Sequence, residues 1–299
     1  MVKKMKKRIL VIGSSNTDMT IKAPRIPLPG ETILGGKFKM GPGGKGANQA
    51  VAAARLGGNV GFICKVGNDL FGENAIKGYE AEGIDTRYIL KSSKPSGVAL
   101  IMVDDKGENC ISVAPGANSD INVEDIRSMK KVIEEADYVI LQLEIPVDAV
   151  CEAAKIASEA GAYVILNPAP ACKLPDEIFR YISLATPNQT EIAILTGIKG
   201  NIEEAFKKLN AMGVNDIILT LGSEGSALWD GEKAEIIPAR KVKAIDATAA
   251  GDTFCGALCV ALSEGKNKRE AVEFATKASA LTVQRMGAQE SIPYRKDIE

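Results

Sequence analysis

Short runs rich in β-branched residues alternate with helical patterns through the last two thirds of the chain. The clearest runs cover residues 138–143, 163–166 and 216–221. Proline at helix starts and glycine just after helix ends bracket the patterns between them, as at Pro146 and Gly161. Such alternation is typical of βαβ units on a parallel sheet with helices on its faces. The chain is therefore predicted to fold as a doubly wound α/β protein.

The first third of the chain contains two interruptions of this rhythm. Residues 9–12 and 60–66 are predicted strands of the main sheet. Residues 15–42 and 94–116 are instead rich in glycine, proline and alternating polar and apolar residues, and the second stretch has the pattern of a hairpin. We expect both stretches to form a small antiparallel sheet that projects from the main body. No internal repeat or low-complexity linker is visible, so residues 1–299 are predicted to be a single domain.

Composition excludes several kinds of chemistry. The chain has no histidine, which excludes Ser-His-Asp and Cys-His catalysis, imidazole metal ligands and histidine proton shuttles. Lysine and arginine number 37 against 38 aspartates and glutamates, so the formal net charge is −1. This balance argues against a general nucleic-acid binder but permits a local cationic pocket.

Cysteine usage and the N-terminal residues predict a cytoplasmic location. Six cysteines are scattered without a C-x-x-C pair, so we expect reduced and mostly buried thiols. Five basic residues precede the first strand: Lys3, Lys4, Lys6, Lys7 and Arg8. The apolar run behind them, residues 9–12, is too short to target the chain or to span a membrane. We therefore expect a solvated lead-in to a strand.

A first glycine-rich motif, Gly-Pro-Gly-Gly-Lys-Gly-Ala-Asn at residues 41–48, leads into a helix of small residues that stops at Gly57. Such a turn lets backbone N–H groups and the helix N-terminus approach a polar ligand. Its glycines formally satisfy G-x-G-x-x-G. A dinucleotide-binding motif, however, directly follows the first strand, and an acidic residue lies about 20 residues after it. Neither condition holds here, and Lys45 followed by Gly46 does not complete a P-loop.

A second motif, Asp-Ala-Thr-Ala-Ala-Gly-Asp-Thr-Phe at residues 246–254, opens a predicted helix that runs to about residue 263. Small residues there leave the amides of the first turn open to a ligand, and the positive end of the helix dipole stabilises negative charge that develops in phosphoryl transfer. Asp252 lies in this turn as either a helix cap or a base. Two acids that flank a turn of small residues favour the base.

Taken together and in this order, these motifs resemble the PfkB group of carbohydrate kinases. The resemblance extends over essentially the whole chain. It is carried by the stretches Asn16-Thr-Asp18, Gly43-Gly-Lys-Gly-Ala-Asn48, Val113-Ala-Pro-Gly-Ala-Asn118, Leu141-Gln-Leu-Glu144, Asn188-Gln-Thr-Glu191, Thr220-Leu-Gly-Ser-Glu-Gly225, the Asp252 motif and Gly287-Ala-Gln-Glu-Ser291.

The resemblance implies roles for particular residues. Asp252 matches the family's catalytic base, and Ala249, Ala250 and Gly251 match its anion hole. The positions that hold the sugar in the family are occupied by Asn16, Thr17, Asp18, Gly44, Lys45, Gly46, Ala47, Asn48, Glu144 and Asp252. The positions that bind ATP are Asn188, Thr220, Leu221, Gly222, Ser223, Glu224, Gly225, Gly251 and Asp252. Taken alone, the Asn188 pattern equally describes a helix cap, and glycine-rich turns are common in α/β proteins.

The resemblance also implies two cations. Glu191 matches the acid that organises the Mg²⁺ of MgATP, usually through water. The family's potassium positions are occupied by Asp246, Thr248, Thr282, Arg285, Gly287 and Ser291. Oxygen ligands from two segments suit a hard ion, but the same residues could form two ordinary turns. The position near Thr276, where relatives often meet the adenine, is poorly defined in this sequence.

The fold implied is ribokinase-like: a central, mostly parallel sheet with helices on both faces, a three-layer α/β/α body, plus a small antiparallel β-sheet lid. The function implied is ATP-dependent phosphorylation of D-ribose at O5, in a homodimer paired through the lid and with no nucleic-acid or membrane partner. Kinases of the same family for fructose, deoxyribose or nucleosides such as adenosine are the nearest alternatives. A non-catalytic sugar- or nucleotide-binding regulator and a nicotinamide oxidoreductase are the more distant ones.

Overall fold

A computed structural model describes residues 6–299. Lys3 and Lys4 of the basic lead-in lie outside the described residues. The strands are β1 (Arg8–Ile12), β2 (Asn16–Lys22), β3 (Lys37–Gly43), β4 (Asn59–Gly67), β5 (Ile89–Ser92), β6 (Gly97–Val103), β7 (Asn109–Ala114), β8 (Tyr138–Leu141), β9 (Tyr163–Leu166), β10 (Leu184–Ala185), β11 (Asp216–Thr220), β12 (Ser226–Trp229) and β13 (Ala234–Ile237). The α-helices are α1 (Lys45–Arg55), α2 (Leu70–Ala81), α3 (Val123–Ser128), α4 (Lys130–Glu134), α5 (Val147–Glu159), α6 (Gln189–Thr196), α7 (Ile202–Ala211), α8 (Ala250–Ser263) and α9 (Lys268–Thr282).

The main sheet has nine strands in the order β13-β12-β11-β10-β9-β8-β1-β4-β5. Every pairing from β5 to β11 is parallel, and only β12 and β13 at one edge are antiparallel to their neighbours. The chain thus builds outward from β1 in both directions, and consecutive parallel strands are joined mainly through helices. The predicted mostly parallel sheet is confirmed.

Burial on both faces explains why the central strands are continuous apolar runs. In β1, Ile9 and Val11 belong to one core cluster, which includes residues of α1, α8 and α9. Leu10 and Ile12 of the same strand belong to a second cluster on the other face, with residues of α5 and α7. Successive side chains of a strand point to opposite faces, so both faces need a helical cover. This is the predicted three-layer arrangement.

Most predicted boundaries agree with the observed elements. The predicted strand over 163–166 coincides with β9, and those over 138–143 and 216–221 end earlier, at Leu141 and Thr220. The residues that follow leave the sheet on the side of the cavity described below. Each helix of residues 6–299 is too short or too polar to cross a membrane.

Residues 15–42 and 94–116 contribute a separate four-stranded sheet, the lid sheet, in the order β3-β2-β6-β7. The predicted hairpin is present as β6 and β7, and β2 and β3 also pair antiparallel. The central pair differs from the prediction, because β2 and β6 run parallel. Both strands leave the main body from adjacent points, with Asn16 opposite Gly97, so they must point the same way.

Alternation along the strands gives the lid sheet two different faces. Asp18, Ala99, Ile101, Ile111 and Val113 face a cavity between the lid sheet and the main body. The opposite face carries residues that are apolar and largely exposed: Ile21, Phe38, Met40 and Leu100. A sheet face of this kind needs a cover.

Candidate active site

A cavity with a volume of about 420 Å³ lies where the parallel strands end and the lid sheet begins. Glu144, Asn167, Thr186 and Thr220 reach it from the carboxyl ends of β8 to β11 or just beyond them. In open α/β sheets, ligands bind at this edge because the loops there are free to vary while the strands hold them rigidly. The position of the cavity therefore follows from the fold.

Asp252 lies in the first turn of α8, and its carboxylate faces the cavity although the residue is only 6% exposed. Asn48 donates from Nδ2 to Oδ2 of Asp252 at 2.9 Å, and Gln49 donates from Nε2 to Oδ1 at 3.0 Å. Both donors come from the first two turns of α1. The two glycine-opened helices thus meet at this carboxylate, which is held in place and oriented by neutral amides.

Gln49 is a residue that the sequence analysis did not single out. Its Nε2 also donates to Oδ1 of Asn167 at 3.0 Å, and its Oε1 accepts from Nε2 of Gln142 at 2.6 Å. Gln49 is fully buried, so its carboxamide cannot turn without breaking three bonds. A glutamine on a helix of alanines was the available signal, because a buried amide needs partners.

The turn that opens α8 is strained and open. Ala249 has φ of 59°, the only positive φ of a non-glycine residue in the described part of the chain. Left-handed backbone is unfavourable for alanine and persists where the surroundings impose it, often at functional sites. Among residues 6–299, the N–H groups of Gly251 and Asp252 make no backbone hydrogen bond. A β-carbon at Gly251 would meet nothing within 4 Å, and both residues line the cavity, so this turn is open to a ligand.

Asp18 of the lid sheet stands among other acids. Burial raises its pKa to about 6, and the charges of Glu144 and Asp252 contribute in the same direction. Gly43 is required beside it, because a β-carbon there would lie 2.2 Å from the Asp18 carboxylate. Ionised Asp18 can accept hydrogen bonds from the hydroxyls of a polyol.

Glu144 is fixed through one of its oxygens. Ser14 donates from Oγ to Oε2 at 2.6 Å, and the backbone N–H of Lys45 donates to the same atom at 2.9 Å. In the described residues no protein donor engages Oε1, so that oxygen is free to accept from a ligand.

Lys45 places a cation among these carboxylates. The charge of Asp252 and, to a smaller extent, those of Glu144 and Glu191 raise the pKa of Lys45. No carboxylate of residues 6–299 lies within 4.0 Å of its Nζ. The ammonium group therefore stays charged and unpaired at the cavity wall, where it can meet an anion.

The opposite end of the cavity contains the Asn188 segment. Asn188 caps α6 by accepting from the N–H groups of Thr190 and Glu191, and Glu191 accepts from the backbone N–H and Nδ2 of Asn188. Burial raises the pKa of Glu191. Asn188 and Thr220 are joined as a parallel β-bridge, so the two segments are neighbours in space. Glu191 can take part in the helix cap and still bind a ligand in the cavity, because its carboxylate oxygens keep lone pairs that the cap does not use.

The two segments named for a monovalent cation are brought together. Asp246 accepts through Oδ1 from the N–H and hydroxyl of Thr248 and through Oδ2 from the N–H of Gly287 at 2.9 Å. The carbonyl of Val283 accepts from Ile245 and Asp246. No group of three or more acidic or cysteine side chains with metal-site geometry exists within the described residues, so a cation here depends on carbonyl and hydroxyl oxygens.

The structure divides the predicted site residues into two sets. Those that line the cavity are Asn16, Asp18, Gly44, Lys45, Asn48, Glu144, Asn188, Glu191, Thr220, Thr248, Ala249, Ala250, Gly251 and Asp252. Those that lie off its wall are Thr17, Gly46, Ala47, Leu221, Gly222, Ser223, Glu224, Gly225, Asp246, Thr282, Arg285, Gly287 and Ser291. Gly46 and Ala47 are buried, and a β-carbon at Gly46 would lie 2.6 Å from the amide nitrogen of Ser14.

Comparison with known proteins adds to this geometry. The chain matches the family described as pfkB family carbohydrate kinase over residues 6–295. It is 42% identical to a ribokinase of Haemophilus influenzae over 298 residues, which cover 98% of this chain and 97% of that protein.

Two solved structures are also similar. A ribokinase from Thermotoga maritima has 40% identity and a TM-score of 0.91, with 98% of each chain covered. The Arabidopsis thaliana ribokinase complexed with ribose and ATP has 34% identity and a TM-score of 0.90, again with 98% of each chain covered.

Proposed function

The chain belongs to the pfkB family of carbohydrate kinases, and we propose that it phosphorylates D-ribose at O5 with ATP, giving D-ribose 5-phosphate and ADP. The observation that carries the proposal is the Asp252 carboxylate at the open N-terminus of α8, facing a cavity lined by polyol-binding side chains.

Asp252 acts as the general base. It takes the proton of the O5 hydroxyl as O5 attacks the γ-phosphorus, and the bond from that phosphorus to the β,γ-bridging oxygen breaks to release ADP. A positioned base contributes roughly 10²- to 10⁴-fold in rate. Negative charge on the transferring phosphoryl group is stabilised by the unpaired N–H groups of Gly251 and Asp252 and by the free ammonium of Lys45.

The sugar is held by a ring of carboxamides and carboxylates. Asn16, Asp18, Asn48 and Glu144 line the cavity near Asp252 and can each meet a hydroxyl. The apolar inner face of the lid sheet covers this ring from above. Closure there excludes water, which would otherwise compete with the sugar as acceptor of the phosphoryl group.

ATP occupies the end of the cavity near Asn188 and Thr220, and Glu191 would hold its Mg²⁺ through water. The residue fits this task, because its carboxylate is oriented by Asn188 and faces the cavity. Bound Mg²⁺ supplies neutralisation of phosphate charge. What Glu191 itself does is present a fixed, partly desolvated acceptor to that hydrated ion.

A potassium ion near Asp246 would tie residues 246–248 to the segment from Thr282 to Ser291. The donor set fits, since Asp246 already bridges the two segments through Gly287 and the other named positions offer carbonyl and hydroxyl oxygens. The ion would then order the turn that carries the α8 amides. Omission of K⁺ is therefore expected to lower kcat.

The outer face of the lid sheet suits pairing with a second copy, giving a homodimer. A Leu100→Asp variant is expected to sediment as a monomer, because Leu100 is 55% exposed at the centre of that face. Leu34→Asp is the matched control, since Leu34 is 90% exposed in a loop outside the sheet. A dimeric Leu100→Asp variant, or a monomeric parent, would contradict this pairing.

A cytoplasmic location is consistent with the thiols. All six cysteines lie within the described residues and are free. Only half of them are buried, which is fewer than the sequence predicts: Cys64, Cys255 and Cys259. Burial raises the pKa of these three thiols, which keeps them unreactive.

A single assay tests the activity. ADP release is measured with MgATP and a panel of pentoses, hexoses and nucleosides, and D-ribose is expected to have the highest kcat/KM. Preference for fructose, deoxyribose or adenosine would reassign the substrate within the family. Sugar binding without turnover would indicate a regulator instead.

A further inference from the structure

We propose that Asn118 is a positioning residue that sets the orientation of the Asn16 carboxamide, so that Asn16 offers a hydrogen-bond donor to the sugar. This inference rests on the proposed function only in taking Asn16 as a sugar contact. Asn118 lies outside the cavity that contains Asp252 and is 2% exposed, in a short turn that follows the last strand of the lid sheet.

The orientation of Asn118 is dictated by the backbone of Ser15. The Ser15 N–H donates to Oδ1 of Asn118 at 2.9 Å, and Nδ2 of Asn118 donates to the Ser15 carbonyl at 3.1 Å. A backbone N–H can only donate and a carbonyl can only accept, so a rotated Asn118 carboxamide would meet two repulsive contacts. Ser15 is itself anchored, because its hydroxyl bonds to the hydroxyl of buried Tyr79 at 2.6 Å.

The same nitrogen fixes the orientation of Asn16. Nδ2 of Asn118 donates to Oδ1 of Asn16 at 2.7 Å, which makes that oxygen the acceptor and turns Nδ2 of Asn16 away from Asn118. In the part of the chain that the structure describes, Nδ2 of Asn16 makes no hydrogen bond. Since Asn16 lines the cavity, this amine is the group it presents to a ligand.

The space around the pair permits no other side chain. Gly97 faces Asn16 across the β2–β6 ladder, and a β-carbon there would lie 2.2 Å from Oδ1 of Asn16 and 2.3 Å from Nδ2 of Asn118. The backbone of Ser15 thus fixes the orientation of Asn118, and Asn118 in turn fixes the orientation of Asn16. An amide that faced the sugar without this relay could present either its oxygen or its nitrogen.

Asn118→Asp tests the relay with almost no change of shape. Aspartate keeps the acceptor for the Ser15 N–H but can donate neither to the Ser15 carbonyl nor to Asn16, so the Asn16 carboxamide turns, donates to the new carboxylate and presents its oxygen to the cavity. The sugar hydroxyl that accepts a hydrogen bond from Asn16 in the parent would then face an oxygen. We therefore expect KM for D-ribose to rise about 10- to 100-fold, with kcat within a few-fold of the parent. Asn122→Asp is the matched control, because Asn122 is an exposed helix cap that aspartate can replace.

Deoxy analogues separate positioning from mere structural support. The parent and Asn118→Asp are compared on D-ribose and on analogues that each lack one hydroxyl. The relay predicts that discrimination against one analogue collapses while the others are unaffected. Asn118→Ala, in which Asn16 can turn freely, should fall between the two. Asn16→Asp, which accepts from Asn118 and presents an oxygen, should reproduce the Asn118→Asp pattern.

Three outcomes would overturn the inference. Unchanged KM and unchanged ratios in a folded Asn118→Asp variant would show that Asn16 does not depend on it. Equal losses on every analogue, with a lower melting temperature, would show a structural role only. If the parent phosphorylates a different sugar, the same comparison is made with that sugar and its deoxy forms, so an error in the substrate is distinguished from an error in the role of Asn118. A parent that phosphorylates no sugar would remove both the proposed function and this inference.

Discussion

Replacement of Asp252 by asparagine should abolish the reaction while leaving the cavity intact, and the two amides around the carboxylate show why. Gln49 cannot turn, because it also donates to Asn167 and accepts from Gln142. The introduced asparagine must therefore direct its oxygen at Gln49 and its Nδ2 at Asn48. In the orientation it has beside Asp252, Asn48 would oppose this nitrogen with its own donor.

Asn48 has a way to adapt. Its Oδ1 is buried and has no hydrogen-bond partner, so a half-turn of the carboxamide brings that oxygen to accept from the new amide at position 252. One unpartnered atom is exchanged for another, and two charge-assisted bonds become neutral ones. We expect the free energy of unfolding to change by less than about 2 kcal/mol. Turnover should fall roughly 10²- to 10⁴-fold, because an amide cannot take the O5 proton.

The measurements are kcat from ADP release, ribose and ATP affinity from calorimetry, and the melting temperature. Asp148→Asn is the matched control, since Asp148 is an exposed acid in the first turn of α5. A variant with kcat within a few-fold of the parent would refute the base. Loss of folding or of ribose binding would refute the account of Asn48 and Gln49.

Three further predictions concern the sugar end and the cation. Gly43→Ala should raise KM for ribose at least about tenfold, because its β-carbon would overlap the Asp18 carboxylate at 2.2 Å; an unchanged KM would contradict that close approach. Since the pKa of Asp18 is raised to about 6 in the folded protein, KM should fall as pH rises from 5 to 7, and a parallel profile in Asp18→Asn would rule out Asp18 as the cause. The same raised pKa means the native state binds more protons than the unfolded chain between about pH 4 and 6, so this group's contribution to stability decreases as pH rises across that range. Omission of K⁺ with Mg²⁺ retained should lower kcat, and Asp246→Ala should remove the response; indifference of the parent to K⁺ would contradict the site.

Local pattern was sufficient for much of the fold. Buried strands such as β9 are apolar runs of fixed length, and the helices between them are bracketed by proline and glycine, so each is recognisable within a window of about a dozen residues. The placement of Asp252 at a helix N-terminus is equally local. The relative direction of paired strands is not a local property, which is why the sequence does not predict the parallel pairing of β2 with β6.

The site required contacts between residues far apart in the chain. Gln49 and Asp252 are 203 positions apart, and Asn118 and Asn16 are 102 apart. The alanines around Gln49 indicate that it is buried but not which residues it bonds to, and nothing in the neighbourhood of Asn118 distinguishes a buried hydrogen-bonded amide from an exposed one. The loop from Leu221 to Gly225, prominent as a motif, lies off the cavity wall, and Gly225 packs so closely against the carbonyl of Ile237 that a β-carbon there would lie 2.1 Å from it.

The sequence by itself determined the α/β class, the order of strands and helices, and the chemical types gathered near the two glycine motifs, because periodicity and helix capping are properties of neighbouring residues. Tertiary structure alone decided which oxygen of Asp252 each amide meets, which way Asn16 points, and which motif residues reach the cavity. Hydrogen-bond direction depends on atoms brought within about 3 Å by packing, and no local pattern encodes that distance.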